Sequence, residues 1–279
     1  MKLLVDVGNT RVKWAFVGPD SLVARGEAFR AAPGDLQPLL EAPYQVTEIR
    51  LANVAGAQAG ADVVALLLER FRLTPRVALS AASGAGVRNG YGNPAQLGVD
   101  RWLGICAAYA RYPGPVCVVD AGTATTVDFV TGSGEHRGGL ILAGIELMRS
   151  ALLHRTGDLS RLSATGPSVP DKLAGSQDAS AGSEGRLMFG RDTAAAIHLG
   201  ALQATASLIC LSAAAFQASL PPAGPGLTLV VTGGSAPVLQ SVIGGLATFT
   251  GRPAGSPLQC HPDLVLEGLA LEPPCFADA

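Results

Sequence analysis

The order of apolar and polar positions repeats once along the chain. An apolar run that ends in Asp-Val-Gly, within residues 3–10, recurs in altered form as one that ends in Asp-Ala-Gly, within residues 117–124. β-branched residues are frequent in both runs, and a second strand-like run follows each turn, over residues 12–17 and 126–130. The pattern therefore predicts a strand, a tight turn and a second strand at two places in the chain.

The segments after each copy alternate between strand-like and helix-like patterns, which predicts an α/β protein. The length favours two domains, and the repeat places them at residues 1–114 and 115–279. Asp192 precedes a long Ala-rich helix and is predicted to cap it. The region 160–190 has no clear periodicity and is predicted to be a loop. The predicted strands are 49–54, 76–79, 139–142 and 227–231, and the predicted helices are 62–71, 101–111, 145–153 and 192–220.

Composition and charge exclude several classes of function. The net charge is −2 and basic residues form no cluster, which argues against a nucleic-acid surface. Apolar runs are short, so the sequence predicts no membrane span, and Asp6 interrupts what would be the apolar part of a signal peptide. The five cysteines have no paired spacing and are interpreted as reduced thiols. We expect a cytoplasmic protein.

The two Asp-x-Gly turns have a composition suited to phosphate. Glycine allows the backbone to approach a ligand closely, and exposed N–H groups beside Thr or Asn side chains can donate to anionic oxygens. Such turns are also common in β-rich proteins, so one copy alone says little. Two copies together suggest a pair of turns that hold one nucleotide.

Residues 89–101 combine turn formers with Tyr91, Asp100 and Arg101 at a predicted helix start. In a functional interpretation, Asp100 accepts the proton of an attacking hydroxyl group, and Arg101 with Tyr91 holds a polar or anionic substrate. In a structural interpretation, Asp100 only caps the helix and Arg101 is its ion-pair partner. The pattern alone leaves both open.

Several segments together resemble the type III pantothenate kinase family, and the resemblance covers nearly the whole chain. The most specific one is Leu-Gly-Val-Asp-Arg at residues 97–101. One departure is Ala143, where the family commonly has proline. The other matching segments are residues 6–10, 91–101, 120–128, 138–141, 190–193, 232–234 and 264–269.

The resemblance implies a fold and a reaction. The family belongs to the actin, Hsp70 and sugar-kinase superfamily, so it implies two ribonuclease-H-like domains, a duplicated actin-like ATPase fold with the active site in the cleft between them. It implies ATP-dependent phosphorylation of pantothenate at its 4′-hydroxyl group, the first step of coenzyme A biosynthesis. ATP with Mg²⁺, a monovalent cation (K⁺ or NH₄⁺) and a homodimer are implied with it.

The resemblance also implies site residues. Asp100 would be the general base, Asp120 would bind the monovalent cation, and Asp6 would lie near Mg-ATP. The residues expected to bind ATP are Asp6, Val7, Gly8, Asn9, Thr10, Arg11, Val12, Lys13, Thr123, Gly233 and Gly234. Those expected to bind pantothenate are Tyr91, Gly98, Val99, Asp100, Arg101 and Thr193.

The sequence leaves two alternative functions possible, and it does not decide the position of Asp128. The same fold could phosphorylate another small hydroxylated compound, or the chain could act as an accessory factor in gene expression. The intact Asp100, Arg101 and Asp120 disfavour the second rival. Asp128 could point toward the cleft or be a solvated carboxylate at a strand end.

Overall fold

The computed structural model describes residues 1–19, 21–30, 36–155, 189–222, 224–250 and 258–272. Most of the predicted 160–190 loop, and Cys275, lie outside the described residues. The chain divides into two compact units, of which the first is Met1–Pro113, Val130–Gly138 and Asp263–Ala279, and the second is Gly114–Phe129 and Gly139–Pro262. The domain boundary between residues 114 and 115 stays a prediction.

The first unit is built on a five-stranded sheet in the order β3-β2-β1-β4-β5. β1–β2 and β2–β3 are antiparallel pairs, whereas β4 is parallel to both β1 and β5. The strands are β1 (Lys2–Val7), β2 (Arg11–Val17), β3 (Leu22–Phe29), β4 (Glu48–Asn53) and β5 (Arg76–Val77), and a separate two-stranded sheet contains β6 (Ser83–Gly84) and β7 (Val87–Arg88). The helices are α1 (Gln37–Leu40), α2 (Ala57–Phe71), α3 (Val99–Arg111) and the C-terminal α7 (Leu264–Ala270).

The second unit contains a sheet with the same order, β10-β9-β8-β11-β12. β11 is parallel to β8 and to β12. Only two residues join β8 to β9, so these strands run antiparallel, as β1 and β2 do. The strands are β8 (Val116–Ala121), β9 (Ala124–Val130), β10 (His136–Ala143), β11 (Thr228–Thr232) and β12 (Leu258–Cys260), and the helices are α4 (Ile145–Arg155), α5 (Thr193–Ala218) and α6 (Ala236–Thr250).

The predicted α/β class is therefore confirmed, and the predicted elements are present with shifted ends. The largest shift is in α2, which begins at Ala57 and not at residue 62. Its first turn lacks the apolar periodicity on which the prediction relied. Asp192 caps α5 as predicted, because its carboxylate accepts a hydrogen bond from the Ala195 N–H at 2.8 Å.

The cores of both units are apolar and contain the residues that the strand patterns selected. Trp14 and Trp102 are both buried, at 4% and 0% exposure. By length and composition, α5 is apolar enough to cross a membrane. Its buried residues, which include Leu202 and Ile209, belong to the core of the second unit, so α5 serves as a core helix.

The C-terminal helix α7 packs against α3, the helix that contains Asp100. Arg50 on β4 is 2% exposed and donates hydrogen bonds to the carbonyl oxygens of Leu269 (2.9 Å) and Leu271 (3.1 Å). Gly268 packs α7 directly against the backbone of Leu103 on α3, where a side chain would not fit. The hydrogen bond from Arg50 lowers the pKa of Glu48, and Arg50 thereby keeps a charged partner beside it.

Candidate active site

The first Asp-x-Gly turn joins β1 to β2. The Gly8 N–H donates to the carbonyl oxygen of Arg11 at 2.9 Å, which closes the turn. Asp6 lies opposite Lys13 in the register of the two strands, and both are half-buried. Asn9 and Thr10 are exposed at the tip. The turn therefore offers polar side chains and backbone groups to a ligand in solution.

Neighbouring residues hold this turn in place. The Arg30 side chain donates to the Asn9 carbonyl oxygen at 2.9 Å, and the Arg30 backbone N–H donates to the Thr10 carbonyl oxygen at the same distance. Arg11 forms an ion pair with Glu27, and its guanidinium lies 4.6 Å from the centre of the Phe29 ring. The fixed backbone suits a binding loop, because less conformational freedom remains to be lost on binding.

Some of the predicted ATP-binding residues of this turn cannot contact a ligand through their side chains. Val7 and Val12 are buried in the core of the first unit, at 0% and 1% exposure. Only their backbone groups can serve a ligand. The polar residues of the turn remain the candidates for direct side-chain contacts.

The second turn, between β8 and β9, is shorter by one residue. The Gly122 N–H donates to the Ala124 carbonyl oxygen at 3.0 Å, and Thr123 is exposed between them. Gly144, which follows β10, donates its N–H to the Thr123 carbonyl oxygen at 3.0 Å. A methyl group at Gly144 would lie 2.5 Å from that oxygen. The hydrogen bond from Gly144 therefore supports the turn. Gly144 directly follows Ala143, the position at which the family commonly has proline.

Asp120 and the Gly233-Gly234 turn meet at the carboxyl ends of β8 and β11. Asp120 lies opposite Thr232 in the strand register, and the Ser235 N–H donates to the Ala121 carbonyl oxygen at 3.0 Å. A side chain at Gly233 would begin 2.5 Å from Asp120 Oδ1. This edge of a parallel strand pair is where open α/β sheets bind ligands.

Gly233 and Gly234 differ in what an added methyl group would meet, which gives a matched pair of variants. Gly233 has a φ of 89° and no room beside Asp120, whereas a methyl group at Gly234 meets no atom within 4 Å. We expect Gly233→Ala to lower the free energy of unfolding by about 1–3 kcal/mol. Gly234→Ala should change it by less than about 0.5 kcal/mol.

Urea denaturation measures both variants, and ATP titration of each adds the functional comparison. If adenosine packs along this turn, Gly234→Ala weakens ATP binding although the fold is unaffected. Equal stability losses in the two variants would contradict the description of Gly233.

In the first unit, the start of α3 carries the predicted base. Gly98 occupies the N-cap position without a side-chain cap, and Asp100 is the second residue of the helix. Asp100 Oδ1 accepts a hydrogen bond from the Arg101 backbone N–H at 2.7 Å. Asp100 is thus not the N-cap residue, although it does satisfy one N–H of the first turn. A carboxylate in the first turn of a helix interacts favourably with the helix dipole.

Arg101 is 8% exposed, and its guanidinium is directed at Tyr91. Its Nη1 donates to the Tyr91 hydroxyl at 2.9 Å, and its Cζ lies 5.6 Å from the centre of the Tyr91 ring. The structure therefore brings together three of the predicted substrate residues, Tyr91, Asp100 and Arg101.

Asn89 shapes the loop that carries Tyr91, and the sequence interpretation did not select it. Its Oδ1 accepts from the Tyr91 N–H at 3.0 Å, and its Nδ2 donates to the Ala81 carbonyl oxygen at 3.1 Å. Asn89 is 8% exposed. The sequence signal that could have identified Asn89 is the Asn-Gly pair at residues 89–90, which is typical of tight turns.

The remaining predicted residues lie in the second unit. Thr193 is the first residue of α5 and is exposed. Asp128 is 1% exposed, which excludes the solvated carboxylate, one of the two interpretations that the sequence left open. Burial, followed by the charge of Asp128, raises the pKa of the Cys117 thiol well above its usual value. Cys117 is therefore a neutral core thiol.

Solved structures define the class of fold. A 2-dehydro-3-deoxygalactonokinase from Sinorhizobium meliloti aligns with a TM-score of 0.51 at 16% identity over 97% of each chain. The ethanolamine utilization protein EutJ from Carboxydothermus hydrogenoformans aligns with a TM-score of 0.50 at 12% identity, over 97% of this chain and 89% of that one. Together with the repeated sheet order, these likenesses define a duplicated α/β protein of the actin and sugar-kinase fold.

Sequence comparison places the chain more narrowly. The model of the type III pantothenate kinase family matches residues 2–213. A type III pantothenate kinase from Aromatoleum aromaticum is 34% identical over 273 residues, 97% of each chain. One from Azoarcus sp. is 36% identical over 275 residues, covering 97% of this chain and 90% of its own. The chain belongs to the type III pantothenate kinase family.

Proposed function

We propose that this chain phosphorylates pantothenate with ATP and that Asp100 is the general base of the reaction. Membership of the family supplies the reaction, phosphorylation of an alcohol group in coenzyme A biosynthesis. The observation that carries the assignment of the base is the position of Asp100 at the start of α3, next to the buried Arg101 and its hydrogen bond to Tyr91.

Asp100 accepts the proton of the 4′-hydroxyl group as its oxygen attacks the γ-phosphate of ATP. A carboxylate within hydrogen-bond reach of the hydroxyl is sufficient for this step, because catalysis of phosphoryl transfer depends mainly on alignment and charge neutralisation. The hydrogen bond from the Arg101 N–H fixes Oδ1. The orientation of the carboxylate is therefore set before the substrate binds.

Arg101 binds the carboxylate of pantothenate, and Tyr91 keeps the guanidinium in position. A guanidinium matches a carboxylate with two parallel hydrogen bonds, which a neutral sugar cannot reproduce. The bond to the Tyr91 hydroxyl restrains the side chain of Arg101. Gly98 and Val99 contribute the backbone at the start of α3. Thr193, an exposed residue of the second unit, is a separate candidate for contact with the substrate.

In each unit, the Asp-x-Gly turn is a candidate for binding phosphate groups of ATP. Residues 6–13 and Thr123 bind its phosphates, with Asp6 near the Mg²⁺ that accompanies ATP, and Gly233 and Gly234 lie along its adenosine. The half-buried carboxylate of Asp120 offers hard oxygen ligands to K⁺ or NH₄⁺. Gly233 supports this role, since its lack of a side chain keeps the space around Asp120 Oδ1 open.

The chain works as a homodimer in the cytoplasm. Support for a partner comes from large apolar side chains that the second unit exposes, such as Ile141 on β10 at 64% and Leu211 on α5 at 58%. Leu147 on α4 is exposed at 49%. These exposed apolar side chains are candidates for an interaction surface, and a second copy of the chain is the partner that the family implies.

A panel of acceptors tests the substrate assignment. ADP release is measured with pantothenate, with its neutral primary amide, with a hexose and with an amino alcohol. We expect kcat/KM for the amide to fall by roughly 10²-fold, because the bidentate pair with Arg101 is lost. Equal kcat/KM values for pantothenate and its amide would contradict the role of Arg101. A higher kcat/KM for the hexose or the amino alcohol would show that pantothenate is not the preferred substrate.

A further inference from the structure

The turn between β9 and β10 packs on β7 and α3 within the first unit. The Arg88 N–H donates to the Gly134 carbonyl oxygen at 2.7 Å, and the Tyr109 hydroxyl donates to the Gly132 carbonyl oxygen at 3.0 Å. Arg88 also forms an ion pair with Glu135 at 2.5 Å. These contacts fix the residue that follows, His136, with respect to the loop that carries Tyr91.

His136 is 3% exposed and contacts that loop through its ring and its backbone. The ring stacks on Tyr91 with the centroids 6.0 Å apart and the planes 12° apart. The Gly90 N–H points at His136 Nδ1 at 3.4 Å. At position 90 any side chain would collide with the His136 carbonyl oxygen, so only glycine permits this approach.

A chain of side-chain contacts therefore leads from His136 through Tyr91 to Arg101. The imidazole stacks on the phenol ring, and the phenol hydroxyl accepts the hydrogen bond from Arg101 Nη1 at 2.9 Å. A stacked ring restricts the rotation of Tyr91, and Tyr91 in turn restricts the guanidinium. Ordering these side chains before the substrate binds lowers the entropic cost of binding.

We infer that His136 is a positioning residue for pantothenate, acting through Tyr91 on the guanidinium of Arg101. The inference rests on the proposed function and adds to it a residue that contacts neither substrate. The planar ring at position 136 is the feature that acts on Tyr91, because the two rings are stacked. The prediction is thus about affinity for pantothenate and not about the chemical step.

The test compares His136→Leu, which removes the ring, with His136→Phe, which keeps a planar ring of similar size. Because the stacked aromatic pair is lost, His136→Leu should raise KM for pantothenate about 3- to 10-fold. KM for ATP and kcat should stay within about twofold. His136→Phe should restore KM for pantothenate to within about twofold of the wild type. Thermal melting of all three proteins checks the fold.

A second measurement does not need a substrate. Phenylglyoxal modifies accessible arginines, and peptide mass mapping follows Arg101 alone. Arg101 is 8% exposed, so we expect slow modification in the wild type and in His136→Phe, and at least about fivefold faster modification in His136→Leu.

The outcomes separate the positioning role from the proposed function. Unchanged KM and unchanged modification in His136→Leu would overturn the inference, as would a loss in His136→Phe equal to that in His136→Leu. A parallel rise of KM for ATP would indicate general damage to the fold and would also overturn it. If the wild type ignores pantothenate, the proposed function fails, while the modification rates still decide whether His136 orders Arg101.

Discussion

Replacement of Asp100 by asparagine is expected to lower kcat by about 10²-fold or more, the scale for loss of a general base. The amide keeps an oxygen that can accept the 2.7 Å hydrogen bond from the Arg101 N–H, so the start of α3 should be preserved. KM for both substrates should change little, because the proton is transferred only in the transition state. Steady-state ADP release measures these constants.

Asp62→Asn is the control for the Asp100 variant. Asp62 also lies in a helix and accepts a side-chain hydrogen bond, from Gln58 at 2.8 Å, but it is exposed and is not part of the candidate site. Its activity should stay within about twofold of the wild type. A folded Asp100→Asn protein with full activity would reduce Asp100 to a helix-stabilising residue, the structural interpretation that the sequence left open.

The second large effect is expected at Arg101. Arg101→Lys keeps the charge but loses the planar fork that pairs with a carboxylate, and it removes the bond to the Tyr91 hydroxyl. A hydrogen bond to a charged group contributes roughly 1.5–3 kcal/mol, so its loss should raise KM for pantothenate by about 10- to 10²-fold. KM for ATP should remain within about threefold.

Arg111→Lys offers a matched control at the other end of the same helix. Arg111 is exposed and pairs with Glu267 at 3.6 Å, and exposed pairs of this kind contribute little. Both kinetic constants of Arg111→Lys should equal those of the wild type. An Arg101→Lys protein with an unchanged KM for pantothenate would contradict the proposed carboxylate contact.

The sequence predicted the features that depend on local patterns. Each Asp-x-Gly turn follows an apolar run, and both the turn and its strands can be inferred from adjacent residues. Asp192 at the start of α5 was predicted for the same reason, since an N-cap contacts only the next few residues. The identical strand order of the two sheets could not be inferred from these patterns. Only the resemblance to the family implied a duplicated fold.

Features that depend on contacts between distant residues were missed. The stacking partners Tyr91 and His136 are 45 positions apart in the numbering, and no local pattern links them. The burial of Arg50 is unexpected for a charged residue, and it is explained by carbonyl groups at Leu269 and Leu271 near the other end of the chain. The burial of Asp128 was likewise not readable from the sequence, which left its position undecided.

The most direct test of the central claim is to identify and count the products. The purified chain is incubated with ATP, Mg²⁺, K⁺ and pantothenate, and the products are quantified by liquid chromatography and mass spectrometry. We predict one phosphopantothenate for each ADP formed, with ADP formation dependent on pantothenate. ADP release without phosphopantothenate, or no reaction by the folded protein, would contradict the assignment as a pantothenate kinase.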